Sequence, residues 1–401
     1  MVTLSQKETL YPLINRIDEI ATSEEMKARA AHWKRYYSGI PAVADPDGPL
    51  YTMDIGIPTW SRILHFDINQ YFSDTYTQIE CQLRMRIYHF EHFDDDTLVG
   101  PGVSASPLGS ALEPAILGAP IDYQPDTVPW VARNVPVISS PSELQERPQP
   151  DFYTAGPMPA VHRMYAEARD MMSTLTDGRW SVGFPQAIRG ILGLAQTMRG
   201  PHENILMDML EQPEFAHQMM RYVTDFRIHY AVERAKFLGE RVGPGHIGND
   251  EVTVPVVSPS IYNAFLLPLE QELSRFHGGL TCWHSCGDTG PLAHLIRQIP
   301  GIKQFYTGPW TDLRLVMEAF GTTTPLDIAV HVVDDMLAAS PERMRAKLRQ
   351  VIQTCGSAPL KLRAGSTDSV FGLQKDLASA RTWTEIARRV ALETPALDAG
   401  H

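Results

Sequence analysis

The chain has 401 residues, 43% hydrophobic and 20% charged, the make-up of an ordinary soluble protein long enough to bury a large core. Asp and Glu number 47 against 35 Lys and Arg, and the net charge of −12 leaves no basic surplus for neutralising nucleic-acid phosphates. No apolar run reaches the roughly 20 residues of a membrane span, so nucleic acid and membrane are both excluded as expected partners.

The opening residues, Met1-Val-Thr-Leu-Ser-Gln-Lys-Glu8, lack the basic-then-apolar pattern of a secretory signal. The 4 cysteines do not make a disulfide framework in a chain of this length. The expectation is a cytoplasmic protein with reduced thiols.

Residues 1–40 read as helical. Leu10, Leu13, Ile14 and Ile17 recur at helical spacing, and Ser23-Glu-Glu-Met26 looks like a capped second start. The Pro- and Gly-rich stretch 40–48 closes this region, an extension over residues 1–50 whose simplest role is to cover one end of the main fold. Residues 51–60 read as a loop or short strand, followed by a long helical pattern ending near Phe93. Its last turn, His89-Phe-Glu-His92, suits the negative end of a helix dipole better than it marks a metal site. A strand is expected over 97–103, and a proline-rich mixture of short strands and loops over 100–150.

From residue 151 onward, strand and helix alternate. Strands are predicted at 151–156, 180–184, 245–251, 279–284, 303–307, 326–330 and 360–364. The helices between them fall at 157–176, 187–199, 201–212, 213–239, 259–276, 290–298, 313–320 and 341–355. Repeated strand–helix units imply parallel strands joined by right-handed crossovers, which a doubly wound sheet or a barrel satisfies. Polar residues gather at C-terminal strand ends: Asn249-Asp250-Glu251, His284-Ser-Cys286, His331 and Ser366-Thr-Asp368. Barrel enzymes hold their chemistry there. The expected fold is therefore α/β, a (β/α)8 TIM-type barrel over residues 51–401 behind the N-terminal helical extension. Gly243-Pro-Gly-His-Ile-Gly248 lies before and within a strand and opens no helix, so it is not a dinucleotide fingerprint.

The densest chemistry lies in Leu280-Thr-Cys-Trp-His-Ser-Cys-Gly-Asp288. Cys282, His284 and Cys286 are spaced two apart and share one face of a strand. Soft sulfur and imidazole donors at a strand end suit Zn²⁺. The plainer alternative makes Cys282 a small buried hydrophobe and His284 a hydrogen-bonded core histidine.

With these residues in view, the segment Gly183-Phe-Pro-Gln through Met198-Arg-Gly200 resembles the uroporphyrinogen decarboxylase superfamily. Leu210-Glu-Gln-Pro-Glu214, Gly248-Asn-Asp-Glu251, Val257-Ser-Pro259 and Leu326–Leu337 follow in the order that family has them. The resemblance covers roughly residues 50–375 and implies a distorted TIM barrel. The Arg-rich segment with which the decarboxylases hold substrate carboxylates is not found near this N-terminus. His284-Ser-Cys286 is instead similar to the first metal-ligand pair of the zinc-dependent methyltransferases that work with corrinoid proteins. Those enzymes take a late cysteine as third ligand, where this chain has Ala364-Gly-Ser366. Cys355 is the late cysteine available, and Asp250 or Glu251 is the carboxylate alternative.

The resemblance implies a methyl group moving between a small methylated substrate, or a thiol or folate acceptor, and a corrinoid carried by a separate protein. Zn²⁺ would sit on His284 and Cys286 as Lewis acid, with Asp250, Glu251 and His331 handling protons or substrate hydrogen bonds. A second reading is a lyase or hydrolase using the same acid–base residues on a cyclic or aromatic substrate, in a pocket lined from Trp283, Phe305, Tyr306 and Trp310. A third is a barrel that binds a ligand or a corrinoid protein without turnover. Assembly into a homo-oligomer is left open.

Overall fold

In the computed structural model, which describes residues 3–132 and 134–394 (Ser366 and Thr367 by backbone alone), strands and helices alternate along the chain. Among the described residues, eight strands build the barrel: β1 Leu50–Ile55, β2 Gly102–Ser104, β3 Ser181–Gly183, β4 Gly245–Gly248, β5 Leu280–Ser285, β6 Phe305–Thr307, β7 Leu326–Val330 and β8 Leu360–Thr367. Six of them form one parallel ladder in the order β1-β8-β7-β6-β5-β4, and β2 pairs in parallel with β3. The segment after β3 touches β4 through a single bridge, Arg189 to Gly248, and among the described residues no ladder joins β1 to β2. The expected (β/α)8 barrel is present, with two open seams. No helix among the described residues is long and apolar enough to cross a membrane.

Period-two alternation sorts the strand side chains between two environments. Trp283 and Phe305, in register on β5 and β6, face outward and stack at 5.5 Å between ring centroids, with Phe320 of the next helix 4.2 Å beyond. Their neighbours His284 and Tyr306, also in register, face the barrel interior together with Cys282 and Ala329. Full burial of each outward aromatic stabilises the fold by about 1.5–3 kcal/mol. Lower in the interior, Asp327 of β7 pairs with Lys361 at 2.7 Å and Arg363 at 2.9 Å, both on β8.

The N-terminal helices close the bottom of the barrel and flank its side. In Glu24–Tyr37, Tyr36 is buried, Trp33 donates Nε1–H to the Asp96 carbonyl and stands 5.1 Å from Lys361 Nζ, and Tyr37 donates its hydroxyl to Gln304. The preceding helix, Leu4–Thr22, lays Leu10, Ile14, Ile17 and Ile20 against Ile79, Leu83 and Met164 of the outer helices. Ser23 caps the second helix through Met26 N–H, as its sequence suggested.

Several expected elements differ, each for a local reason. The long helix before Phe93 is broken where His65 turns left-handed and again where Asp74 caps Thr75–His92. Residues 151–156 form a turn and not a strand, because Asp151 Oδ1 accepts hydrogen bonds from Tyr153 N–H, Thr154 N–H and the Thr154 hydroxyl. The helix expected from 187 starts at Ile191, since the backbone at 188–190 is hydrogen-bonded to Gly248. The helix after Pro259 is interrupted by a π-helical turn at Tyr262–Leu266, just before Pro268, which cannot donate a backbone hydrogen bond. His89, at the end of Thr75–His92, meets Asp95 at 3.0 Å in the core, a structural pairing.

Candidate active site

Three loops meet above β4, β5 and β7 at the C-terminal mouth of the barrel. β4 stops at Gly248, and a turn closed by Val252 N–H to the Asn249 carbonyl points Asp250 across to β5. His284 Nε2 lies 3.0 Å from Asp250 Oδ1 and 3.3 Å from Cys286 Sγ. Cys286 N–H also faces Asp250 Oδ1, at 3.4 Å. One ligand atom from each of Asp250, His284 and Cys286 falls within 4.8 Å of the others. Nitrogen, sulfur and oxygen donors converging at a strand end fit a borderline divalent ion such as Zn²⁺ with an open coordination position.

The imidazole is held from one side. The Tyr306 ring stacks on it at 3.9 Å and 12°, and the Arg363 guanidinium stands 5.4 Å from the Tyr306 ring. Arg363 is fixed in turn by Asp54 at 2.7 Å and Asp327 at 2.9 Å. Burial opposes charge on Asp250, but the hydrogen bond and the positive charge of His284 outweigh it and draw the carboxyl down to about 2. Loss of water at the cavity wall, then the Asp250 carboxylate, push the Cys286 thiol up to about 12. Deeper in, burial and the neighbouring His284 hold His246 down at about 4.

A cavity of about 430 Å³ opens beside this cluster, lined by His284, Cys286, Tyr306, Trp310, His331 and Arg363 among others. A second, of about 380 Å³, lies on the far side of Asp250, against Ser104, Ser106, Glu113, Gln186 and Arg189. Glu113 is buried there and accepts the backbone N–H groups of Ile188 and Arg189.

The candidate residues divide accordingly. Asp250, His284 and Cys286 come together. His331 lines the same cavity outside that cluster, its Nδ1 accepting the Asp334 N–H. Glu251 turns the other way, bound to Arg189 at 2.5 Å and pressed against Gly193. The expectation that Cys355 supplies the late ligand is corrected. Cys355 ends the helix Pro341–Cys355, fully buried at the bottom of the barrel before β8 begins, opposite the mouth that holds His284. The side chain of Ser366 lies outside the described residues. Cys282 faces the interior below His284, its thiol pushed up to about 12 by burial.

Of the four aromatics, Tyr306 and Trp310 line the cavity, whereas Trp283 and Phe305 are core. Asp54, His246 and Arg363 escaped the sequence reading. Strand alternation alone places Arg363 inward, two residues after the interior Lys361, but its partner Asp54 is 309 positions away.

The family model for uroporphyrinogen decarboxylase (URO-D) matches residues 102–360. No curated protein matches the sequence. Among solved structures, a methyltransferase from Methanosarcina mazei superposes with a TM-score of 0.60 at 14% identity, covering 88% of this chain and 98% of that one. At that identity the likeness is one of fold.

Proposed function

This chain belongs to the uroporphyrinogen decarboxylase family, and from that premise we propose that it is a methyltransferase with Zn²⁺ at the barrel mouth, exchanging a methyl group between a small substrate and a corrinoid on a separate protein. The observation that carries the reading is the convergence of Asp250, His284 and Cys286 within 4.8 Å beside a cavity of ligand size. Asp250 stands in for the late thiolate that Cys355 is too remote to provide. When bound, Zn²⁺ supplies Lewis-acid polarisation of a substrate sulfur or oxygen.

The chain's own residues do the rest. Tyr306, stacked on His284 and backed by Arg363, fixes the plane of the imidazole. Asp250 Oδ1 accepts the backbone N–H of Cys286, which sets the thiol beside His284 Nε2. His331, at the rim, is placed to hydrogen-bond a substrate through its free edge.

Metal analysis tests this directly. Purified protein is expected to hold about one zinc per chain, and His284→Ala and Cys286→Ala to lose it. Asp250→Ala is expected to weaken zinc by at least about tenfold, and Cys355→Ala to leave it unchanged. Unchanged zinc in all three mouth variants sinks the site. A lyase reading draws on His284 and His331 lining one cavity. It requires turnover in metal-free protein with no corrinoid protein added.

A further inference from the structure

The turn that carries Asp250 and the strand end that carries His284 share one hidden anchor. Glu270, fully buried, lies on the first turn of the helix Leu267–His277. Its Oε1 accepts Asn249 Nδ2–H at 2.7 Å. Its Oε2 accepts Trp283 Nε1–H at 2.8 Å and the Tyr262 hydroxyl at 2.6 Å. Asn249 is the residue before Asp250, and Trp283 is the residue before His284. One buried carboxylate therefore holds the chain immediately below each of the two groups that meet at 3.0 Å.

Asn249 has little room to settle elsewhere. It is buried, its backbone N–H donates to the His284 carbonyl at 2.7 Å, and a Cβ on Gly190 would stand 1.9 Å from its Oδ1. The amide is wedged between a glycine and a carboxylate, with its donor end toward the carboxylate. Arg227, also buried, supplies the opposing charge and donates to the carbonyls of Ala187 and His246. Without Glu270 the Asn249, Trp283 and Tyr262 donors would be buried with no acceptor, a cost relieved only by movement of the segments that carry them. Tyr262 differs from the other two. It belongs to the π-helical turn Tyr262–Leu266 and adjoins no residue of the mouth cluster.

Resting on the metal-site reading, we propose that Glu270 is a positioning residue of the mouth. Through Asn249 and Trp283 it sets the separation of Asp250 and His284, and with it the affinity and geometry with which the cluster holds a metal.

The test compares zinc affinity, by chelator competition, in full-length variants that cut different arms of the same carboxylate. Asn249→Asp sets two carboxylates face to face and is expected to weaken zinc at least about tenfold. An added negative charge near a cation would by itself favour binding, so a loss reports position and not charge. Adding Glu270→Gln to Asn249→Asp exchanges donor and acceptor at constant total charge, and is expected to return affinity to within about threefold of wild type. Tyr262→Phe removes a donor from the arm away from the mouth. It is expected to lower the thermal midpoint yet keep zinc affinity within about threefold. The visible spectrum of cobalt-substituted protein should change in Asn249→Asp and match wild type in the other two. Asn249→Ala cuts the same link without adding charge, and takes the place of the aspartate variant if that does not fold. Tyr262→Phe losing zinc as Asn249→Asp does, or a double variant that recovers none, overturns the proposal, because either result makes Glu270 a general prop of the fold. The metal reading fails separately, if wild-type protein binds no zinc. Positioning is then decided in metal-free crystals, where the Asp250–His284 contact should persist in Tyr262→Phe and the double variant and be lost in Asn249→Asp. A contact kept in all three overturns it.

Discussion

At the scale of single residues, the mouth depends on close backbone approach. A Cβ on Gly308 would stand 1.8 Å from the carbonyl oxygen of Cys286, a contact with backbone that no side-chain rotation relieves. Gly308→Ala is expected to lower the thermal midpoint by several degrees and zinc affinity by about tenfold or more, measured by melting and by competition with a chelator. Unaltered affinity would mean that Cys286 does not depend on this packing. Below the mouth, Lys361 and Arg363 share Asp327, and Lys361→Met should cost about 1.5–3 kcal/mol in urea unfolding, because it removes one charged partner from a buried carboxylate that keeps the other. The His284–Cys286 pair was legible because a spacing of two is itself a statement about one strand face. The choice of Asp250 over Glu251 was not, since it turns on the direction of three residues after β4. Arg363 with Asp54 was illegible for a different reason, as the pairing exists only once β1 and β8 are in register.

At the scale of elements, the helix Glu24–Tyr37 is held beneath the barrel by buried charge. His32 lies 3.6 Å from Asp96 and 3.9 Å from Asp45, and its ring meets the Gly48 carbonyl at 3.0 Å. Burial works against the imidazolium, but Asp96 and the carbonyl prevail and hold His32 above its ordinary value. Asp95 is opposed by burial too, yet His89, Met53 N–H and Thr97 hold it below the usual carboxylate range. The signs are opposite. The His32 contribution is full below about pH 6.5 and fades as pH rises through its raised folded value. The Asp95 contribution is full above about pH 3.9 and fades as pH falls through its depressed one. The thermal midpoint should therefore decline on both sides of a plateau between these limits, and His32→Asn should flatten the alkaline side. An identical alkaline slope in both proteins would count against the pairing. Strands and helices after residue 157 were readable because periodicity and punctuation agree there. Residues 151–156 misled because an aromatic, β-prone run is overruled by a single aspartate whose oxygen collects three donors.

At the scale of the whole molecule, the extension is part of the core and not an appendage. Leu10, Ile14, Ile17 and Ile20 are all buried against the outer helices, and each contributes about 1.5–3 kcal/mol by the area it removes from water. Their sum is comparable to the roughly 5–15 kcal/mol by which a domain is stable at all. A chain starting at residue 41 is expected to lose its cooperative urea transition and its near-ultraviolet dichroism, and a sharp transition would refute that. The barrel itself is not uniformly sealed. β2 and β3 hold each other, but their attachment to the remaining six strands is one bridge on one side and none among the described residues on the other. That pair is a stave set into a hoop, joined to the neighbouring strands by no continuous ladder among the described residues. In deuterium exchange the amides of Val103 and Val182 should label as a group well before that of Ile328, which has a strand on either side. The serine-rimmed compartment leans on that stave, so solvent traffic through the mouth would run on the clock of its opening.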